Sequence, residues 1–270
     1  KQNMTSTPDL ILTGDDDQGL LGEYADQLGD INGDGFDDFL IGAYGHDAGG
    51  TTRGRVYIYL GGTLVDDIAD LVIDGDQDEA ALGTGCIGTG DLNGDGLNDF
   101  LVGAYLYDTT MTNAGRAYVY LGSTVLSNLP QFILDGDEVD SGFGIWGAFL
   151  GDINDDDLGD FGVSAPYHDA DGSVGSERGK LYVYSGNGSL APTLVTVIDG
   201  DTDSANLGLG INGIGDINQD GFDDFAVGSP IFDGNKGKVD IYLGNSSGFD
   251  LTPTLTVTAT IESRLGFTLD

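Results

Sequence analysis

The chain has 270 residues, with 46 acidic against 9 basic side chains, a net charge of −37 and 39% hydrophobic residues. That apolar share is enough for a buried core, while the charge argues against nucleic acid and anionic membranes as partners and leaves a folded state that repels itself unless cations bind. No apolar run nears the ~20 residues that span a bilayer, and the lone cysteine, Cys86, excludes an intrachain disulfide and reads as a small buried filler.

Taken in chain order, the first expected element is a lone strand over residues 9–13, followed by an acidic turn with Asp15 and Asp17. The nine-residue string DINGDGFDD then occupies Asp30 to Asp38. Variants of it return as DLNGDGLND at Asp91 to Asp99, DINDDDLGD at Asp152 to Asp160 and DINQDGFDD at Asp216 to Asp224, after 61, 61 and 64 residues. A fixed period of this size marks a repeat architecture. The second repeat shows the plan. Residues 70–74 form a short apolar strand, and residues 82–90 a Gly-rich one whose missing side chains allow close backbone approach. Residues 100–105 are a continuous apolar run, as in a buried strand, and residues 115–121 alternate as a half-buried strand does. Four strands in ~60 residues without a helix, repeated radially, describe propeller blades. The chain ends with another expected outer strand, 254–258, and then residues 264–269, which look like the opening strand of a fifth repeat.

The nine-residue string carries the chemistry. Calcium takes six to eight oxygens from carboxylates, amides, backbone carbonyls and water. A tight loop offers them at alternate positions, and here positions one, three, five and nine are Asp30, Asn32, Asp34 and Asp38. The same oxygens recur in Asp91, Asn93, Asp95 and Asp99, in Asp152, Asn154, Asp156 and Asp160, and in Asp216, Asn218, Asp220 and Asp224. Position seven is apolar (Phe36, Leu97, Leu158, Phe222) and lends only its carbonyl. Position six, where the chain turns with positive φ, is Gly35, Gly96 and Gly221 but Asp157 in the third copy, so that site is expected to be weaker or distorted. An EF-hand needs a bidentate Glu at position twelve and a helix after it. Position twelve here is Ile41, Val102, Val163 and Val227, within a strand. The expectation is about four calcium ions, one per repeat, and a secreted or cell-surface location, because sites this numerous suit millimolar extracellular calcium.

The order of motifs resembles the FG-GAP repeat of integrin α-subunit β-propellers and their bacterial relatives. Leu21-Gly22, Leu82-Gly83, Phe143-Gly144 and Leu207-Gly208 open the repeats, and the calcium-type string follows. Gly42-Ala43-Tyr44, Gly103-Ala104-Tyr105, Ser164-Ala165-Pro166 and Gly228-Ser229-Pro230 come next, and Gly-x-x-Tyr-x-Tyr closes each repeat at Tyr59, Tyr120, Tyr184 and Tyr242, with Asp240 replacing the first Tyr of the last copy. The resemblance implies an all-β fold, a β-propeller of four-stranded antiparallel blades. It also implies calcium between the first two strands of each blade and ligand binding on the opposite face. The chain reads as one propeller domain or a propeller fragment over 1–270, with repeats near 9–69, 70–130, 131–193 and 194–252, a partial fifth at 253–270, and an orphan strand at each end.

Other periodic residues leave their readings open. A second acidic turn holds Asp76 and Asp78, Asp137 and Asp140, and Asp201 and Asp203. It is either a ligand face or a solvated turn. An aromatic or His precedes Asp at His46-Asp47, Tyr107-Asp108, His168-Asp169 and Phe232-Asp233. These pairs either contact a partner or cap their own turns. One base per repeat, Arg55, Arg116, Lys180 and Lys238, is expected to neutralise a nearby carboxylate. Trp146 stands where its repeat mates have Gly85 or Gly210 and is placed in the central channel.

The expected function is a calcium-stabilised extracellular binding and adhesion module, not an enzyme, with a protein or glycan ligand. One alternative is a self-assembling fibre or surface-layer subunit completed by strands from neighbouring chains. Another is a polysaccharide-acting or phospholipase-associated propeller; two distant His and no cluster of bases for an acidic sugar weigh against it.

Overall fold

A computed structural model describes residue 8 and residues 10–170, 172–188 and 191–269. Sixteen strands make four antiparallel four-stranded sheets. The first contains β1 (Ala25–Gly29), β2 (Asp38–Ala43), β3 (Arg55–Tyr59) and β4 (Leu71–Asp74), and the second β5 (Leu82–Gly90), β6 (Asp99–Ala104), β7 (Arg116–Tyr120) and β8 (Phe132–Asp135). The third contains β9 (Gly147–Gly151), β10 (Asp160–Ala165), β11 (Lys180–Ser185) and β12 (Thr193–Asp199). The fourth uses β13 (Gly210–Gly215), β14 (Asp224–Ser229), β15 (Lys238–Tyr242) and β18 (Leu255–Thr258), with β16 (Gly244–Asn245) and β17 (Gly248–Phe249) as a small hairpin before its last strand. One short turn, Phe232–Asn235, lies between β14 and β15, with Asp233 and Gly234 in the left-handed region.

The sheets are consistent with propeller blades. Apolar clusters form between consecutive sheets: Leu40, Val56 and Ile58 of the first meet Phe100, Val102 and Tyr120 of the second, and the pattern repeats for the second and third and for the third and fourth. This explains why the second strands read as unbroken apolar runs. β6, β10 and β14 are buried along both faces. Inside each sheet a cross-strand Phe–Tyr pair stacks, as Phe100 on Tyr120 at 4.9 Å, Phe161 on Tyr184 at 5.2 Å and Phe225 on Tyr242 at 5.1 Å. The recurring tyrosines therefore pack strands.

Residues 70–74 do not open the second repeat; they close the first sheet as its outer strand. By the same phase, 254–258 is no orphan, because β18 pairs with β15 from Lys238↔Thr258 to Ile241↔Leu255. At the other end Asp9 lies outside the described residues, and residues 10–13 form no strand. Alternation identifies a strand, whereas tertiary packing decides which of two neighbouring sheets it joins. Residues 264–269 are also not a strand. Instead Leu265 bridges Gly237 as Leu82 bridges Gly54, Phe143 bridges Gly115 and Leu207 bridges Gly179. The opening Leu/Phe-Gly of one repeat thus seats on the previous sheet. At Gly103 that seat leaves no room for a side chain, since a Cβ there would lie 1.8 Å from the Gly144 carbonyl oxygen, whereas the third sheet carries Ser164 at the same position.

The innermost strands pack in the order β1, β5, β9, β13, with no comparable contact between β13 and β1. They surround a cavity of about 930 Å³, into which Trp146 projects, 5.1 Å from Tyr24. The arc leaves one face of each end sheet uncovered. Ile217 is 54% exposed, whereas its counterparts Ile31, Leu92 and Ile153 are 0%, 3% and 0% exposed. Phe39 and Ile41 of β2 are half-buried where Phe100 and Val102 are fully buried.

Candidate functional site

Each nine-residue string links the first two strands of a sheet. A register shift just before it, at Gly29, Gly90, Gly151 and Gly215, turns the chain out of the ladder. The loop then wraps round its first carboxylate. Asp30 Oδ1 accepts the N–H groups of Gly33 at 2.6 Å, Asp34 at 3.2 Å and Asn32 at 3.3 Å, and Oδ2 accepts Gly35 N–H at 2.8 Å. Asp91 repeats the set. Together these donors hold the Asp30 carboxyl below its usual range although burial opposes them. Asn32 and Asn93 donate Nδ2–H to Asp34 and Asp95, each at 3.1 Å.

Position nine behaves differently. Asp38, Asp99, Asp160 and Asp224 are buried. One oxygen of each accepts the position-two N–H: Ile31 at 2.9 Å, Leu92 at 2.8 Å, Ile153 at 2.9 Å and Ile217 at 3.0 Å. The other accepts the N–H of a glycine at the corner between strands three and four: Gly61 at 2.7 Å, Gly122 at 2.7 Å, Gly186 at 3.3 Å and Gly244 at 2.9 Å. That corner was not anticipated, although Gly follows the last Tyr of the closing motif by two residues in all four copies. Burial, with Asp91 and Asp95 adding like charge, pushes Asp99 up to about 7; burial does the same to Asp160.

Among the described residues no three His, Cys, Asp or Glu side chains already form a tight metal cluster. Asn occupies position three, and the position-nine oxygens face backbone donors. The donor set still suits a hard cation: three carboxylates, one amide oxygen and a backbone carbonyl, with no nitrogen or sulfur donor. Among the described residues, no ion pair brings Lys, Arg or His to these loops. In the third loop Asp155 and Asp157 adopt φ of 60° and 64°, and Asn154 turns its amide to Ser185 Oγ at 3.1 Å instead of to Asp156. Position four needs positive φ as well as position six, a requirement the sequence reading missed.

The acidic turns and the His/aromatic-Asp loops share the opposite end, where carboxylates are paired. Asp15 accepts Tyr57 Oη–H and meets His46 Nε2 and Arg55 Nη1, each at 3.1 Å. Asp76 accepts Tyr118 Oη–H at 3.0 Å. Asp137 accepts Tyr182 Oη–H and lies 3.1 Å from His168 Nε2, contacts that hold its carboxyl well below the usual range against burial. Arg55 and Arg116 bind Asp74 and Asp135 at the ends of the outer strands, each at 2.5 Å, and Lys180 lies 3.5 Å from Asp199. In the fourth sheet Thr258 takes the place of that outer Asp, and Asp240, standing for a Tyr, supplies the countercharge to Lys238 at 2.9 Å; Asp201 meets the same ammonium at 3.2 Å. Asp78 and Asp203 bind Arg53 at 2.6 Å and Arg178 at 2.7 Å, and Asn113 donates to Asp140 at 2.7 Å. Asp47, Asp108 and Asp169 each cap their own loop. His46, His168 and Asp169 are buried, Tyr107 and Phe232 half-buried beside Arg116 and Lys238, and Asp233 exposed against Lys236 at 2.7 Å.

The FG-GAP repeat model matches residues 24–59, 87–120 and 212–242. The unmatched repeat is the third, the one with Asp157. Integrin alpha-5 of Xenopus laevis is 31% identical over 217 residues, covering 76% of this chain and 19% of the relative. Integrin alpha-PS2 of Drosophila melanogaster is 32% identical over 229 residues (79% and 15%), and integrin alpha-6 of Homo sapiens 39% over 127 residues (47% and 11%). The chain thus spans a fifth or less of these relatives' length. No helix among the described residues is long and apolar enough to cross a membrane. The repeated motifs, the four matching sheets and these similarities together identify a chain of FG-GAP repeats, distantly homologous to the integrin α-subunits.

Proposed function

We propose that this chain is a calcium-stabilised extracellular binding and adhesion module without catalysis of its own. The observation that carries the reading is the set of four buried position-nine carboxylates in one register with no basic partner. Asp30, Asn32, Asp34, Asp38 and the Phe36 carbonyl would hold one ion, and the matching residues of the other three loops one each. Bound calcium supplies positive charge among these oxygens and cross-links the entry to each second strand. The ligand, an extracellular protein or glycan, docks on the opposite end, where Asp47, Asp76, Asp78, Asp108, Asp137, Asp140, Asp201, Asp203 and Asp233 are exposed.

Thermal melts in calcium and in EDTA test the calcium reading. A site at a hundredfold excess over its Kd adds about 2.7 kcal/mol. Four such sites move the Tm of a chain this size by roughly 20–40 °C. An unchanged melt would refute a structural role for calcium.

The uncovered end faces favour a second reading, assembly between chains. Ile217 in the loop of one end sheet, and Phe39 and Ile41 on the other end sheet, match positions that the internal interfaces bury. Light scattering in millimolar calcium separates the readings: a mass near 28.0 kDa supports the monomeric module, and a larger or open-ended mass supports assembly.

A further inference from the structure

We propose that the four loops are mechanically coupled, so that a cation in one loop tightens binding in the loop before it; this rests on the calcium reading above. Two connections, each present three times, carry the argument.

The first is a single peptide unit shared by two loops. Asn98 N–H donates to the Asp30 carbonyl at 3.0 Å, Gly159 N–H to the Asp91 carbonyl at 2.8 Å and Asp223 N–H to the Asp152 carbonyl at 3.0 Å. Each donor is position eight of one loop, and each acceptor is position one of the preceding loop. The carbonyl of that same peptide belongs to position seven (Leu97, Leu158 or Phe222), the backbone ligand of its own site. A peptide is rigid and planar. A cation that orients and polarises its C=O therefore also fixes and strengthens its N–H bond to the preceding loop.

The second connection runs through position nine. Asp99 holds Gly122 N–H, and the next residue, Ser123, donates N–H to the Ile31 carbonyl of the preceding loop at 2.8 Å. Asp160, Gly186 and Asn187 reach Leu92 in the same way at 3.0 Å, and Asp224, Gly244 and Asn245 reach Ile153 at 3.1 Å. Positions one and two of each of the first three loops are thus clamped by groups that the next loop's ligands hold in place.

The sign of the effect is diagnostic. Cations at neighbouring sites repel, so coupling through space alone makes loss of one site strengthen its neighbour. Coupling through the shared peptide makes it weaken the neighbour. The experiment is a calcium titration of the full chain followed by the amide signals of Gly35, Gly96, Asp157 and Gly221, which donate to the first Asp of their loops at 2.8, 2.7, 2.8 and 2.9 Å. Asp95→Ala removes an exposed ligand of the second loop. The calcium midpoint at Gly35 is expected to rise at least about fivefold, as for a typical coupling between sites, while Gly221, two loops away, holds its midpoint. Asp220→Ala should raise the midpoint at Asp157 and leave Gly35 unchanged. An unchanged or lowered midpoint at Gly35 in Asp95→Ala overturns the coupling while leaving the calcium reading intact. A wild-type chain whose four signals ignore calcium removes both.

Discussion

The two ends of each blade handle negative charge in opposite ways. At one end Asp137 faces His168 and Tyr182, and Asp15 faces His46, Arg55 and Tyr57. At the other, Asp99 and its counterparts are buried against two backbone N–H groups and further aspartates. Both ends are acidic in sequence, so charge count alone does not separate them. The chain spends its few bases at the end where outer strands and inter-sheet turns meet. On the proposed calcium reading, the remaining end is left to a cation from solution.

The most damaging single change is expected at position nine. Asp99→Ala leaves the buried Leu92 and Gly122 N–H groups without acceptors, at a cost of about 2–5 kcal/mol. Asp99→Asn sharpens the comparison. In EDTA it removes an uncompensated buried charge but sets an amide NH2 against one of the two N–H donors, so it should cost about 1–3 kcal/mol, less than Asp99→Ala; in calcium it also removes a ligand and should cost more. Urea unfolding in the two conditions reads the difference, and an equal cost in both would place Asp99 outside the metal site.

A change at the opposite end should be smaller and indifferent to calcium. Asp137→Ala takes the acceptor from Tyr182 Oη–H and the partner from His168, but the carboxylate is more than half exposed and water replaces part of the loss. About 1 kcal/mol is expected, identical with and without chelator. A calcium-dependent loss would mean that the two ends are not separate.

Much of this division was legible in the sequence. The interval between strings and the oxygens at alternate positions gave the repeat and the candidate ligands, because both depend on local spacing. The regular basic residues were rightly expected to meet carboxylates. Three matters were not local. Residues 70–74 could pair with either neighbouring sheet, and only packing shows that they close the first. The glycine held by Asp38 is Gly61, far along the chain, and nothing at the loop points to it. His46 and His168 stood in exposed-looking loops, yet contacts with Asp15 and Asp137 draw them under the surface.

The smallest expected effect is in the third loop. Asp157 holds φ of 64° where the other copies have glycine. A left-handed non-glycine residue costs about 1 kcal/mol, and glycine gives part of that back by loosening the unfolded chain. Without a cation the loop can relax its strain, so Asp157→Gly should leave the melt in EDTA nearly unchanged. In calcium the strained geometry must be held, and there the variant should gain up to about 1 kcal/mol, a rise of roughly 2–4 °C. A gain of the same size in both conditions would show that the strain belongs to the fold itself. A gain confined to calcium would tie the third loop, despite its missing glycine, to the same metal chemistry as the other three.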